Sequence, residues 1–173
     1  HILSGADHLL FILALIILMA HLKTILITIT FFTIGHSVTL SLAALELIYL
    51  PSSLAEFAIA FTLLVLAAEI NQKKKSFMTR YPWGMSLFFG LIHGLGFAGA
   101  LKEVGLPQSE IPLTLFSFNL GIEIGQVFFI VIVSFLLFSL RKAKVFFPPW
   151  AQKVQTYAIG STAAFWCIER ALS

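Results

Sequence analysis

Charge is what this sequence has least of. Asp, Glu, Lys and Arg make up 11% of its 173 residues, where a soluble domain carries about 25%. Hydrophobic residues make up 59%, and mean hydropathy is +0.98. These figures exclude a soluble enzyme, a nucleic-acid-binding domain and a disordered tail. Cysteine is almost missing too. Cys167 stands alone, which excludes an intramolecular disulfide and a cysteine-rich metal site. Apolar–polar alternation is also wanting. The runs LLFILALIILMA and QVFFIVIVSFLLF do not alternate as the ~10-residue strands of a membrane barrel must. There is no Walker loop, no GxSxG elbow and no HExxH motif.

What is present is a series of apolar segments. Crossing a hydrocarbon core ~30 Å thick takes roughly 20 such residues in a helix. Six segments qualify, at about 2–20, 24–45, 54–70, 83–101, 112–140 and 151–172. In lipid the backbone must satisfy its own hydrogen bonds, so these segments are helices. The expected fold is all-α, a single domain over residues 1–173 built as a polytopic bundle of six transmembrane helices. Pro51, Pro82 and Pro112 stand at helix starts, where the missing N–H costs nothing, and Pro148 and Pro149 separate the last two spans.

Of the eleven Lys and Arg residues, all but Lys102 and Arg170 fall between spans one and two, three and four, or five and six, counting Lys153 at the very start of the sixth. The positive-inside rule then makes the loops at 71–82 and 141–150 cytoplasmic. Both termini and the loops at 46–53 and 102–111 are expected outside. The pI near 9.2 follows from these basic loops and their contact with anionic lipid, without a nucleic-acid partner. The chain opens on His1 rather than Met, so we expect a processed or missing N-terminal segment or outside domain.

Ionisable groups in hydrocarbon cost at least ~2.5–3.5 kcal/mol each on insertion scales, so those inside the spans need a reason. They are Asp7, His8, His36, Glu56, Glu69, His93 and Glu123, with Asn119 and Gln126 beside the last. At ~1.5 Å rise per residue, Asp7 and His8 lie less than ~10 Å below the outer end of the first span. His36 and His93 lie about 15–18 Å above the inner ends of theirs. Four spans thus bring polar groups to one level in the outer half of the bilayer. Asn119, Glu123 and Gln126 share one helical face, as do Thr33, His36 and Thr39.

Three imidazoles with carboxylates suit a borderline divalent ion such as Zn²⁺, Ni²⁺ or Co²⁺. The expected metal ligands are Asp7, His8, His36, His93 and Glu123. Asn119, Gln126, Thr33 and Glu56 are expected to support them by hydrogen bonds. Glu69, at the cytoplasmic end, is an exit group or a plain helix end. The competing reading is a proton relay or a set of interhelical hydrogen bonds, each worth about 0.6 kcal/mol. Gly90 with Gly94, and Gly121 with Gly125, form GxxxG pairs. They would let spans four and five approach closely, or serve as faces for a homo-oligomer.

SGADHLLF at 4–11, FTIGHSVTL at 32–40, PSSLAEFAIA at 51–60, FGLIHGLGFAGAL at 89–101 and LPQSEIPLTLFSFNLGIEIGQ at 106–126 together resemble the HupE/UreJ family of membrane proteins. The HGLGFAG and FNLGIEIGQ stretches are similar to a broader branch of it, whose members carry an extra outside domain before the first span. The resemblance implies a small metal permease of the bacterial inner membrane, associated with nickel uptake beside hydrogenases and ureases. It implies roles for Asp7, His8, His36, His93, Asn119, Glu123 and Gln126, the residues that membrane cost selects. Three functions follow. The first is a divalent-metal permease. The second is an intramembrane zinc hydrolase with a His₃Asp site and Glu123 as general base. The third is a noncatalytic metal-delivery or assembly protein.

Overall fold

The computed structural model describes residues 6–19, 21–72, 77–96, 111–144 and 148–172. Among the described residues there are seven helices and no strand. They are α1 (Ala6–Leu18), α2 (Leu22–Ala44), α3 (Ser52–Ile70), the single turn α4 (Phe77–Arg80), α5 (Pro82–Gly96), α6 (Ile111–Lys142) and α7 (Pro149–Leu172). A helix stands at each of the six expected segments. The expected ends at 2–5 and 97–101, and the loop that follows to 110, lie outside the described residues. So do Lys73, Lys74, Lys75 and Lys102.

Among the described residues three helices are long and apolar enough to cross a membrane: α2, α3 and Ile111–Leu140 of α6. α1 and α5, at 13 and 15 residues, are shorter as described. α7 has the length, at 24 residues, but is less apolar. Its Gln155, Thr156, Ser161 and Thr162 dilute the hydrophobic run.

α1 is the enclosed element. Between Ala6 and Met19 only Ala6 is exposed. Its apolar side chains point in every direction because it has neighbours on every side: chiefly α3, with α2, α6 and α7 completing the ring. Phe11, Ile12 and Leu15 join Ile29 and Phe32 of α2, Leu63 and Leu66 of α3 and Phe89 of α5 in one apolar core. α6 lies at the periphery. Only 17% of its membrane-length window is buried, against 50% for α2. Phe116, Phe128, Phe135 and Phe138 stand on its open surface. In water such a surface would be an interaction site, but for a membrane helix it is the ordinary lipid face.

The tightest packing joins α2 and α5. A Cβ built on Gly35 would fall on the Leu87 carbonyl oxygen, one on Gly90 on that of Phe32, and one on Gly94 on that of His36. Glycines on both helices therefore let the two backbones touch. This corrects the expectation that the Gly90–Gly94 pair brings α5 against the following span. That pair packs on α2, because Gly35 supplies a complementary gap there. Gly121 has open space where a Cβ would stand, so it makes no such contact among the described residues.

α2 ends in a Schellman turn. The Leu47 N–H bonds the Leu42 carbonyl and the Glu46 N–H bonds that of Ala43, with Glu46 in the left-handed region at φ 59°.

Gly90→Ala should destabilise the fold by about 1–3 kcal/mol, since a backbone cannot step aside as a side chain can. Gly121→Ala should be neutral or stabilise by up to ~1 kcal/mol, because alanine is the better helix former. Thermal unfolding of the two variants in detergent checks this; equal midpoints would contradict the packing.

Candidate functional site

Three buried imidazoles meet near one end of the bundle, where α1 begins and α2 and α5 approach their ends. His8 is 3% exposed, His36 0% and His93 1%. The His8 ring lies 5.8 Å from that of His36 and 5.4 Å from that of His93, centroid to centroid, in edge-on contact. Phe32 serves as their common floor, 5.7 Å from His8, 6.2 Å from His36 and 5.1 Å from His93. Helix geometry explains the meeting. His36 follows Gly35 on α2, and His93 precedes Gly94 on α5, so the close contact between those helices carries both rings toward α1.

Each ring has a hydrogen-bond partner, and the partners fix the tautomers. Asn119 Nδ2 donates to the Leu115 carbonyl at 2.8 Å, which turns its Oδ1 toward His36. The 3.3 Å contact between that oxygen and His36 Nδ1 therefore has Nδ1–H as donor. His36 Nε2 is left with a lone pair, buried and without a hydrogen-bond partner. On α3, Thr62 donates its hydroxyl hydrogen to the Ile59 carbonyl at 2.7 Å. Its oxygen can then only accept from His93 Nε2, 2.9 Å away. His93 Nδ1 is thus the second buried lone pair without a partner. At His8, Asp7 Oδ1 accepts from the ring Nδ1 at 3.1 Å and from the backbone N–H at 2.8 Å, which leaves the His8 lone pair on Nε2.

The expected polar stripes on α2 and α6 pair with one another. His36 meets Asn119, Thr33 shares its hydroxyl hydrogen between the Ile29 carbonyl and Gln126 Oε1, and Thr30 donates to Glu123 Oε1 at 2.9 Å. Glu123 is therefore held at the half-exposed rim of this seam by Thr30, not by an imidazole. Glu56 also stands apart. It is half exposed, 3.4 Å from the Arg170 guanidinium of α7, which also donates to its backbone carbonyl. Glu69 is buried at the far end of α3. Glu169 is exposed on α7. An open cavity of about 380 Å³ between α2 and α6 is lined by Ser37, Ser41, Pro112, Leu115 and Asn119, so the amide that holds His36 is also part of an accessible wall.

Thr62 is the partner that the sequence conceals. Threonines in apolar helices so commonly bond their own preceding turn that one hydroxyl in FTLLVLAA carries no signal.

As they stand, no group of three or more His, Cys, Asp or Glu side chains among the described residues is poised to hold a metal ion. The donors are of the right kind and the spacing is close. Two imidazoles on one tetrahedral ion, at metal–nitrogen distances near 2.0–2.1 Å, have centroids about 5 Å apart. The rings are instead turned edge to face, at 74–88°, and have not converged. The site is thus a cluster of buried imidazoles whose orientation is set by Asp7, Asn119 and Thr62.

The family described as HupE / UreJ protein matches residues 1–170. The chain belongs to that family. No curated protein and no solved structure matches it.

Opposite tautomers are expected for the two interhelical rings: hydrogen on Nδ1 in His36 and on Nε2 in His93. Nitrogen-15 spectra of histidine-labelled protein in detergent at neutral pH, assigned with His36→Ala and His93→Ala, test this. Two rings of the same tautomer would contradict the network.

Proposed function

We propose that this member of the HupE/UreJ family is a permease for a divalent transition-metal ion of the nickel, cobalt or zinc class. The reading takes the chain as one domain of six membrane-spanning helices in the bacterial inner membrane. The loops at 71–82 and 141–150 are cytoplasmic and both termini outside, as the basic residues argue. The imidazole cluster then lies in the outer half of the bilayer.

The observation that carries the reading is the pair of bare lone pairs at His36 Nε2 and His93 Nδ1. A buried acceptor without a donor is costly, and two such atoms beside a third imidazole call for an electrophile that comes and goes. A borderline divalent ion is that electrophile for imidazole nitrogen. Asp7 adds the negative charge that a doubly charged ion needs in a low-dielectric setting. An incompletely converged cage suits cargo, because an ion held too well does not leave. The cavity beside Asn119 provides the approach from outside. Glu69, at the opposite end of α3, suits the inner exit.

A hydrolase is less well supported. It needs a general base beside the metal, and Glu123, the expected candidate, is engaged by Thr30 at the rim of the α2–α6 seam. We therefore assign Glu123, Gln126 and Thr33 to the seam that holds α6 in place and keep Asn119 as the support of His36. Asp7, His8, His36 and His93 are the proposed ligands.

Metal uptake into proteoliposomes tests the proposal. His36→Ala and His93→Ala should each lower the initial rate of Ni²⁺ or Co²⁺ uptake by about tenfold or more. Glu56→Gln, remote from the rings, should stay within about twofold of wild type. Wild-type uptake in both histidine variants would sink the assignment.

A further inference from the structure

The chain has three methionines, and all three line one small cavity. Met19 follows the end of α1, Met78 belongs to α4 and Met85 to α5. Together with Ser86, Phe11 and Phe89 they surround about 10 Å³ of free space, room for a single water molecule or a bare ion. Methionine commonly serves as a flexible filler of irregular gaps. Here three fillers have gathered and the gap remains. Two polar details add to it. The Ser86 hydroxyl oxygen is buried without a hydrogen-bond partner. Thr28 donates its hydroxyl to Met19 Sδ at 3.7 Å, which fixes that thioether and leaves its second lone pair for another ligand.

The cavity is separate from the imidazole cluster. Phe11 stands between them, 5.8 Å from the His93 ring on one side and 6.2 Å from the Phe89 ring on the other. The cavity lies toward the end of the bundle where α1 and α3 finish and α4 and α5 begin.

We infer that this cavity is a second metal site, for a soft monovalent cation of the Cu(I) or Ag(I) class. Its donors are the thioether sulfurs of Met19, Met78 and Met85, with the Ser86 oxygen as a weak fourth. Thioethers are neutral, polarisable donors that favour Cu(I) over hard or strongly hydrated ions. A single charge is the most that such an apolar pocket can accept, since burial of charge grows steeply costly. Glu69 is buried on α3 one helical turn beyond the lining residue Leu66, toward the same end. The three sulfurs come from three segments, so an ion here would also tie the end of α1 to α4 and α5. The inference stands on different residues from the permease reading and does not depend on it.

Full-length protein in detergent, titrated with Cu(I) against a chromophoric chelator, tests the site, with sulfur ligation read by X-ray absorption. One Cu(I) per chain is expected, with a shell of sulfur neighbours. Met78→Leu and Met85→Leu, which keep volume and apolarity, should each weaken binding by about tenfold or more. His36→Ala should leave it unchanged. Cu(I) held equally well by the methionine variants, or lost in His36→Ala, would overturn the inference. So would a nitrogen-only shell in the wild-type protein, a result that needs no variant to fold. Absence of Cu(I) binding would leave a water on Ser86 as the occupant and overturn it too.

Discussion

α2 and α5 touch backbone to backbone at Gly35, Gly90 and Gly94, and the rest of the arrangement depends on that contact. Helices bearing larger residues pack with axes 8–10 Å apart. Glycine lets a membrane pair come closer, which increases dispersion contact where lipid offers no hydrophobic drive. His36 and His93 flank this seam and are carried with it. The floor of the imidazole cluster, Phe32, belongs to the same turn-by-turn register, since its carbonyl is what Gly90 leaves room for. A side chain at any of the three glycines would push the helices apart and separate the rings.

The second constraint is the satisfaction of polar groups in an apolar surround. The bundle meets it mostly by short bonds across helix seams: Asn119 to His36, Gln126 to Thr33, Glu123 to Thr30 and Thr62 to His93. Serines and threonines that lack such partners fall back on their own preceding turn, as Ser37, Thr39 and Ser161 do. Against this background the exceptions stand out. His36 Nε2 and His93 Nδ1 are bare although other polar atoms beside them are paired, and Ser86 is bare beside the methionine cavity. Among the described residues two of the places with unmet polar needs lie on either side of Phe11, and a third, Gln126 Nε2, lies in the α2–α6 seam.

Much of this was legible in the amino-acid order. The apolar runs and the prolines at their starts place helices at each of the six expected segments, because segment length and the backbone's needs leave few alternatives. Membrane cost singled out His8, His36 and His93, and the spacing of Asn119, Glu123 and Gln126 showed a common face. What remained hidden is which face meets which. Local periodicity says that Gly90 and Gly94 share a stripe, but not that Gly35 of α2 lies opposite. It says that Glu123 points with Asn119, but not that Thr30 intercepts it. Thr62 and the methionines carry no pattern at all, since their importance arises only when separate segments converge.

The central claim is that the three imidazoles form a reversible station for a divalent ion. Equilibrium dialysis of chelator-free protein against Ni²⁺, followed by elemental analysis, addresses it most directly. The account predicts close to one labile nickel per chain in the wild-type protein and little in either His36→Ala or His93→Ala. Equal nickel in all three, or none in the wild-type protein at any concentration, would contradict it and leave the histidines as a hydrogen-bonded packing network.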